Sequence, residues 1–200
     1  MWIYGASGHG KVILDCLEVL GITVEGFIDD NSEKEQFEGY PVLEFDQLPE
    51  SPEIIVAIGG NECRAEISAK IPEFKFLVIH PSAIVSPRSE IQYGTVIFQN
   101  CVVQSGSKIG KYCICNTGAT IDHDCKIGDF VHIAPGATIC GNVTIDDLTW
   151  IGAGSTVIQG IKIGKNVMVG AGAVVINDIP DNALALGIPA KVIRINKNTN

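Results

Sequence analysis

From Val85 onward, one aliphatic residue recurs every six positions: Val85, Ile91, Ile97, Val103, Ile109, Cys115, Ile121, Ile127, Ile133, Ile139, Ile145, Ile151, Val157, Ile163, Val169 and Val175. Fifteen of these sixteen positions are Ile or Val, Cys115 being the exception, and chance does not supply such a run. A helix would repeat every 3.6 residues and a simple strand every 2. A period of six requires a short strand plus a turn, repeated, with one aliphatic per flat face pointing inward. Three faces would close one triangular coil, and the hexads from Ile91 suffice for about five coils. Each coil buries its face only against its neighbours, so stability should be close to a nearest-neighbour sum.

Two further positions follow the same period. The residue four beyond each aliphatic is small or β-branched (Thr95, Cys101, Ser107, Cys113, Ala119, Cys125, Val131, Ala137, Val143), as a narrow core demands. The residue one beyond is often glycine (Gly110, Gly128, Gly152, Gly164, Gly170), expected to supply a left-handed backbone at tight corners. The hexad also places Cys101, Cys113 and Cys125 as small packing residues, which is favoured over reading the Cys113–Cys115 pair as a metal site. Seven cysteines, an odd count, with no charged-then-apolar leader at the N-terminus, point to reduced thiols and a cytoplasmic protein. A formal charge of −9 argues against nucleic-acid binding, and no apolar run approaches the roughly 20 residues of a membrane span.

The first eighty residues alternate strand and helix instead. Strands are expected over residues 1–4, 24–28, 54–58 and 76–79. Helices are expected over 11–20 and 62–71, the second stopped by Pro72. The charged stretch at 33–36 is expected to be a solvated loop, and His80 a structural residue at the linker. Such alternation predicts a small Rossmann-like parallel sheet, whose ligands sit beyond the C-terminal strand ends. Three loops fall there: the glycine-rich turn at residues 5–10, the Asp29-Asp30 pair, and Gly59-Gly60. Glycines let backbone approach a phosphate, a helix start offers free N–H groups, and an acid after the second strand can accept from ribose or base. The glycine order G-x-x-G-x-G differs from the dinucleotide pattern, which argues against an NAD dehydrogenase and leaves a plain strand-to-helix turn as the alternative. Two domains are therefore expected: residues 1–80, and a solenoid with a C-terminal tail over 81–200.

Two of the four histidines, His123 and His132, lie within the repeat at positions that cannot point inward. His123 stands between Asp122 and Asp124. Imidazole is the side chain poised to act as a base near neutrality, and an adjacent carboxylate raises its basicity and fixes its tautomer. A solvated surface histidine is the plainer reading of those residues alone. Zinc catalysis of the γ-carbonic anhydrase kind would need a third histidine ligand in the solenoid, and none is present.

The motifs YGASGHGKV, FIDD, VAIGGNE, IHPSA, ICNTGATIDHDCKIGDFVHIAPGATICGNV and GIPAKVIR, spread over residues 1–194, resemble the hexapeptide-repeat acyltransferases that O-acetylate sialic acid or N-acetylate nucleotide sugars, in particular the bacillosamine and perosamine pathway type. The resemblance implies a left-handed parallel β-helix, acetyl-CoA as co-substrate without a metal, and a homotrimer with active sites between subunits. It implies His123 as catalytic base and Asp124 as the acid that enhances its basicity. It places Ser7, Gly8, His9, Asp29, Asp30 and Gly59 at the nucleotide-sugar site and Asn116 near the acceptor sugar. His132, Ala153 and Ala171 match positions touching acetyl-CoA. The implied activity is N-acetylation of a UDP- or GDP-linked amino sugar by direct attack. O-acetylation of a sialic acid or other sugar, and a non-catalytic scaffold, are the alternatives.

Overall fold

A computed structural model describes residues 1–30, 33–71 and 74–195 of the chain. The expected helix stop at Pro72 and the last five residues of the tail lie outside the described residues.

In the N-terminal unit, β1 (Trp2–Tyr4), α1 (Gly8–Val19), β2 (Gly26–Ile28), β3 (Gln36–Phe37), β4 (Tyr40–Leu43), β5 (Ile54–Val56) and α2 (Asn61–Ser68) follow in order. The sheet runs β3-β4-β2-β1-β5, parallel except for the β3-β4 hairpin. The chain turns to opposite sides of β1, first to β2 and later to β5. That reversal opens a crevice beyond β1, where α/β sheets bind their ligands.

Three expectations need correction here. Residues 76–79 supply no fourth strand to this sheet: Val78–Ile79 pairs with Val96–Ile97 as the first rung of the solenoid, and the expected boundary after residue 80 falls at the corner that follows. The remaining sheet strands are β4 and β3, the latter beginning within the supposed loop, because a two-residue hairpin edge carries no apolar alternation to reveal it. Helix α1 starts at Gly8 rather than Lys11. A Cβ at Gly10 would lie 2.2 Å from the Gly5 carbonyl oxygen, so the two glycines let the helix start directly on the strand-end loop.

The hexad ladder forms the left-handed parallel β-helix expected of it. Two-residue strands pair in register with residues eighteen away, as in Ile91, Ile109 and Ile127 or Val103, Ile121 and Ile139. The ladder residues and their small partners merge into one buried core. The polar members are satisfied: the Thr95 and Ser107 hydroxyls donate to the carbonyls of Gly110 and Asp122 and accept from the backbone N–H groups of Cys113 and Cys125.

The corners work differently from the sequence expectation. Left-handed φ occurs three residues beyond the aliphatic, at Gly94, Gly106, Gly118, Gly136 and Gly154 and also at Tyr112, Asp124, Phe130, Asn142 and Leu148. Gly110, Gly128, Gly152, Gly164 and Gly170 have no such φ. They are glycine because the next coil stacks against them: a Cβ on Gly152 would stand 2.5 Å from the Ala171 nitrogen, and one on Gly128 2.5 Å from an Asp147 carboxylate oxygen.

The three faces carry different outward chemistry. One begins Val78, Val96, Ile114 and His132, all buried because the N-terminal unit is docked on them. The second presents Ile84, Val102, Thr120, Thr138, Thr156 and Val174, an uncharged β-branched stripe. The third presents Glu90, Lys108, Lys126, Thr144 and Lys162. A hairpin of Ala183–Leu186 and Lys191–Ile195 ends the docked face.

Candidate active site

His123 and Asp124 occupy the corner between the β-branched and lysine faces. The left-handed backbone at Asp124 folds its carboxylate back beside the preceding ring, so that His123 Nδ1 lies 2.9 Å from Asp124 Oδ2. Both side chains are open to solvent, at 59% and 65% exposure. The imidazole pKa is raised above its ordinary value by the Asp124 hydrogen bond, with Asp122 adding to it. With Nδ1–H donating to Asp124, Nε2 carries the lone pair. Glycines frame the pair. A Cβ on Gly141, in the next coil, would lie 2.6 Å from His123 Nε2, and one on Gly106, in the preceding coil, would collide with the Asp124 carboxylate. A shallow groove of about 240 Å³ on the β-branched face, lined by Val102, Gln104, Thr120, Asp122, Thr138 and Cys140, leads to this corner.

A second cluster forms at the corner between the docked and β-branched faces. Asn116 Nδ2 lies 3.1 Å from His132 Nε2, and His132 Nδ1 lies 3.4 Å from the Gly59 carbonyl. Trp150 covers the ring at 3.9 Å between centroids. His132 faces away from the solenoid core as expected, but the docked domain leaves it only 4% exposed. Burial and the nearby Arg64 cation push its pKa down to about 3. His9 reaches the same corner, edge-on to Phe98, with Nε2 buried and without a hydrogen-bond partner among the described residues; burial and then Arg64 lower its pKa to about 4. Ala153 and Ala171 sit exposed on the same corner in later tiers, linked by the Gly172 N–H donating to the Ala153 carbonyl.

The three loops of the N-terminal unit gather around its crevice. Ser7 and Gly8 are exposed at the start of α1, and a Cβ at Gly8 or Gly59 would meet nothing within 4 Å, leaving room for a ligand against the backbone. Asp29 Oδ2 accepts from the Ala6 N–H and so ties β2 to the glycine turn. Asp30 accepts from the Phe45 N–H and, through a short contact, from the Tyr4 hydroxyl. One chain therefore brings together His9, Gly59, Asn116 and His132, while His123 and Asp124 stand at a different corner of the triangle. Among the described residues no three His, Cys, Asp or Glu side chains converge to hold a metal. Cys113 and Cys115 lie in the core, where burial raises the Cys113 thiol to about 12 and a Cys101 contact with burial raises that of Cys115. No described helix is long and apolar enough to cross a membrane.

A parallel β-helix with a small α/β sheet docked on one face is the architecture of hexapeptide-repeat transferases that carry an N-terminal α/β domain. Residues 1–71 match the PglD N-terminal domain, and residues 142–177 match the bacterial transferase hexapeptide (six repeats). The acetyltransferase domain of PglB from Neisseria gonorrhoeae, solved also with acetyl coenzyme A, is 39% identical over 96% of this chain and 98% of its own, with a TM-score of 0.89. PerB from Caulobacter crescentus, solved with CoA and GDP-perosamine, is 36% identical over 96% of each chain, with a TM-score of 0.90. UDP-N-acetylbacillosamine N-acetyltransferase of Bacillus subtilis is 37% identical over 106 residues, 48% of this chain and 49% of that protein. The chain spans about half the length of that curated relative. The chain belongs to the hexapeptide-repeat N-acetyltransferase family of the bacillosamine and perosamine type.

Sequence reasoning missed Arg64, which is 1% exposed. It lies in α2, and the signal that could have flagged it is the large side chain recurring every eighteen residues at Tyr112, Phe130 and Leu148, against which α2 rests.

Proposed function

We propose that the protein transfers the acetyl group of acetyl-CoA to the amine of a nucleotide-linked 4-amino sugar, with UDP or GDP as the nucleotide. The observation that carries this reading is the His123 ring held by Asp124 through Nδ1, with Nε2 left as the accepting nitrogen beside an open groove. The nucleotide occupies the crevice of Ser7, Gly8, His9, Asp29, Asp30 and Gly59. The acceptor nitrogen attacks the thioester carbonyl and the C–N bond forms as the C–S bond breaks. The nitrogen's proton passes to His123 Nε2 and then to the departing CoA sulfur. Asp124 stabilises the imidazolium between these steps. Attack is direct, because the solenoid cysteines with raised thiol pKa are poor nucleophiles. Holding both substrates in line supplies much of the rate.

His132, Ala153 and Ala171 form the acetyl-CoA side of the cleft, with Asn116 beside them near the acceptor sugar, at a corner different from that of His123. A complete site then needs the corner of a second chain across the uncharged β-branched face, in a homotrimer. The expected location is the cytoplasm, where acetyl-CoA is at hand.

The test is His123→Ala with a UDP- or GDP-4-amino sugar and acetyl-CoA. Transfer should be abolished while acetyl-CoA still binds, and unchanged turnover refutes the role. Co-expression of His123→Ala with Asn116→Ala chains should restore part of the activity, because one cleft of a mixed trimer receives both intact residues. Failure to complement, with mixed assemblies present, would refute a shared site.

A further inference from the structure

Arg64 is a buried cation with no carboxylate beside it among the described residues. All five of its N–H directions are nevertheless used. Nε donates to the Tyr112 carbonyl at 2.8 Å, Nη1 to the carbonyls of Ile58 and Gly59 at 2.9 Å each, and Nη2 to Asn61 Oδ1 at 2.8 Å and the Phe130 carbonyl at 2.9 Å. Asn61 in turn donates from Nδ2 to the Leu148 carbonyl at 2.9 Å. Tyr112, Phe130 and Leu148 are left-handed corner residues of three successive coils, with φ of 51°, 58° and 60°. Three tiers of the solenoid are thus gripped by the first turn of α2, whose other hydrogen bonds hold the loop at residues 58–59.

The same loop decides the state of His132. The Thr117 N–H donates to Asn116 Oδ1 at 2.8 Å, which turns the Asn116 NH2 group toward His132. A nitrogen facing an NH2 donor must carry a lone pair, so His132 Nε2 is bare and its proton sits on Nδ1, directed at the Gly59 carbonyl. That carbonyl is one of the five Arg64 acceptors. The guanidinium charge also disfavours protonation of His132 and His9. We infer that Arg64 is a positioning residue for acetyl transfer: by clamping the Gly59 loop to the coil corners it holds the carbonyl that accepts from His132 Nδ1, and so, opposite the Asn116 amide that Thr117 orients, it secures the tautomer and ring orientation of His132 at the cleft.

This inference rests on reading that corner as the acetyl-CoA side of the site. Lysine has three donors on a point charge and cannot reproduce five directed bonds, so Arg64→Lys should behave as a loss. With only four histidines, ¹⁵N-histidine spectra can be assigned using His132→Gln. The wild type should show His132 neutral and protonated on Nδ1 at neutral pH. In Arg64→Lys and Arg64→Met the tautomers should mix and the ring should titrate at higher pH. The acetyl-CoA KM should rise and kcat/KM should fall at least tenfold, since a shift of about 1 Å at a transfer site can cost about a hundredfold. An Nε2–H tautomer in the wild type overturns the proposal without any variant, which covers the case in which neither variant folds. Folded variants with an unchanged His132 signature also overturn it, whatever their activity. Unaltered turnover in His123→Ala would instead refute the proposed chemistry, and leaves the histidine spectra to judge the Arg64 linkage separately.

Discussion

Gly141 offers the sharpest test of how the catalytic corner is held. A methyl group there would stand 2.6 Å from His123 Nε2 and 2.7 Å from Cε1, whereas non-bonded carbon contacts settle near 3.5–4.0 Å, so the ring must retreat by about 1 Å. The ring cannot retreat freely, because its Nδ1 is anchored 2.9 Å from Asp124. Either the anchor breaks or the whole pair tilts away from the groove. A displacement of that size should lower kcat by about a hundredfold. The fold itself should not suffer. Gly141 is not among the glycines with positive φ, and the atoms that a methyl would meet are the end of one exposed side chain. Restricting the unfolded chain should even stabilise Gly141→Ala by about 0.4–1 kcal/mol. The assay is initial rate against nucleotide amino sugar and acetyl-CoA, paired with thermal unfolding. A variant that melts at or slightly above the wild-type temperature, binds acetyl-CoA normally and turns over slowly is the expected result. Full kcat in a folded Gly141→Ala protein would mean that the ring position seen here is not the working one, and the framing argument would fall.

Two pH experiments examine the histidines from opposite sides. As a base His123 must be neutral, so kcat should rise with pH through a pKa above the free imidazole value; Asp124→Asn, which removes the first-named cause of that rise, should move the acid limb to lower pH and lower the plateau. An unmoved limb would show that another group sets it. His9 and His132 are held near 4 and 3 in the folded chain, so below about pH 6.5 the unfolded chain binds more protons and stability falls as the pH drops. His9 alone accounts for on the order of 3 kcal/mol. Urea midpoints measured from pH 7 to 4.5 should show this slope weakened in His9→Gln, and an identical slope in that variant would count against the burial argument.

The solenoid was legible because its signal is redundant: one aliphatic per face, repeated through every coil, outweighs an exception such as Cys115. The His123–Asp124 pair was legible because the hexad fixes which positions point outward. The burial of His132 was not, since it arises when a separate domain covers Val96, Ile114 and His132, and no local pattern encodes that docking. The edge hairpin of β3 and β4 escaped for want of length, and the role of Gly110 and its equivalents was misread because glycine permits both a left-handed backbone and close stacking. Arg64 was hidden for a further reason: its five acceptors are four carbonyls and one amide, groups that are invisible to a search for charge partners.

The in-register pairing of residues eighteen apart limits how such a chain can be lengthened or shortened. Splicing in eighteen residues adds one storey of about 4.8 Å and rotates nothing, so every later side chain keeps its compass bearing. Splicing in six turns everything downstream by a third of a revolution. Placed ahead of residue 121, that small insertion would carry His123 from the edge of the uncharged wall to another edge altogether, with the hydrophobic ladder still intact.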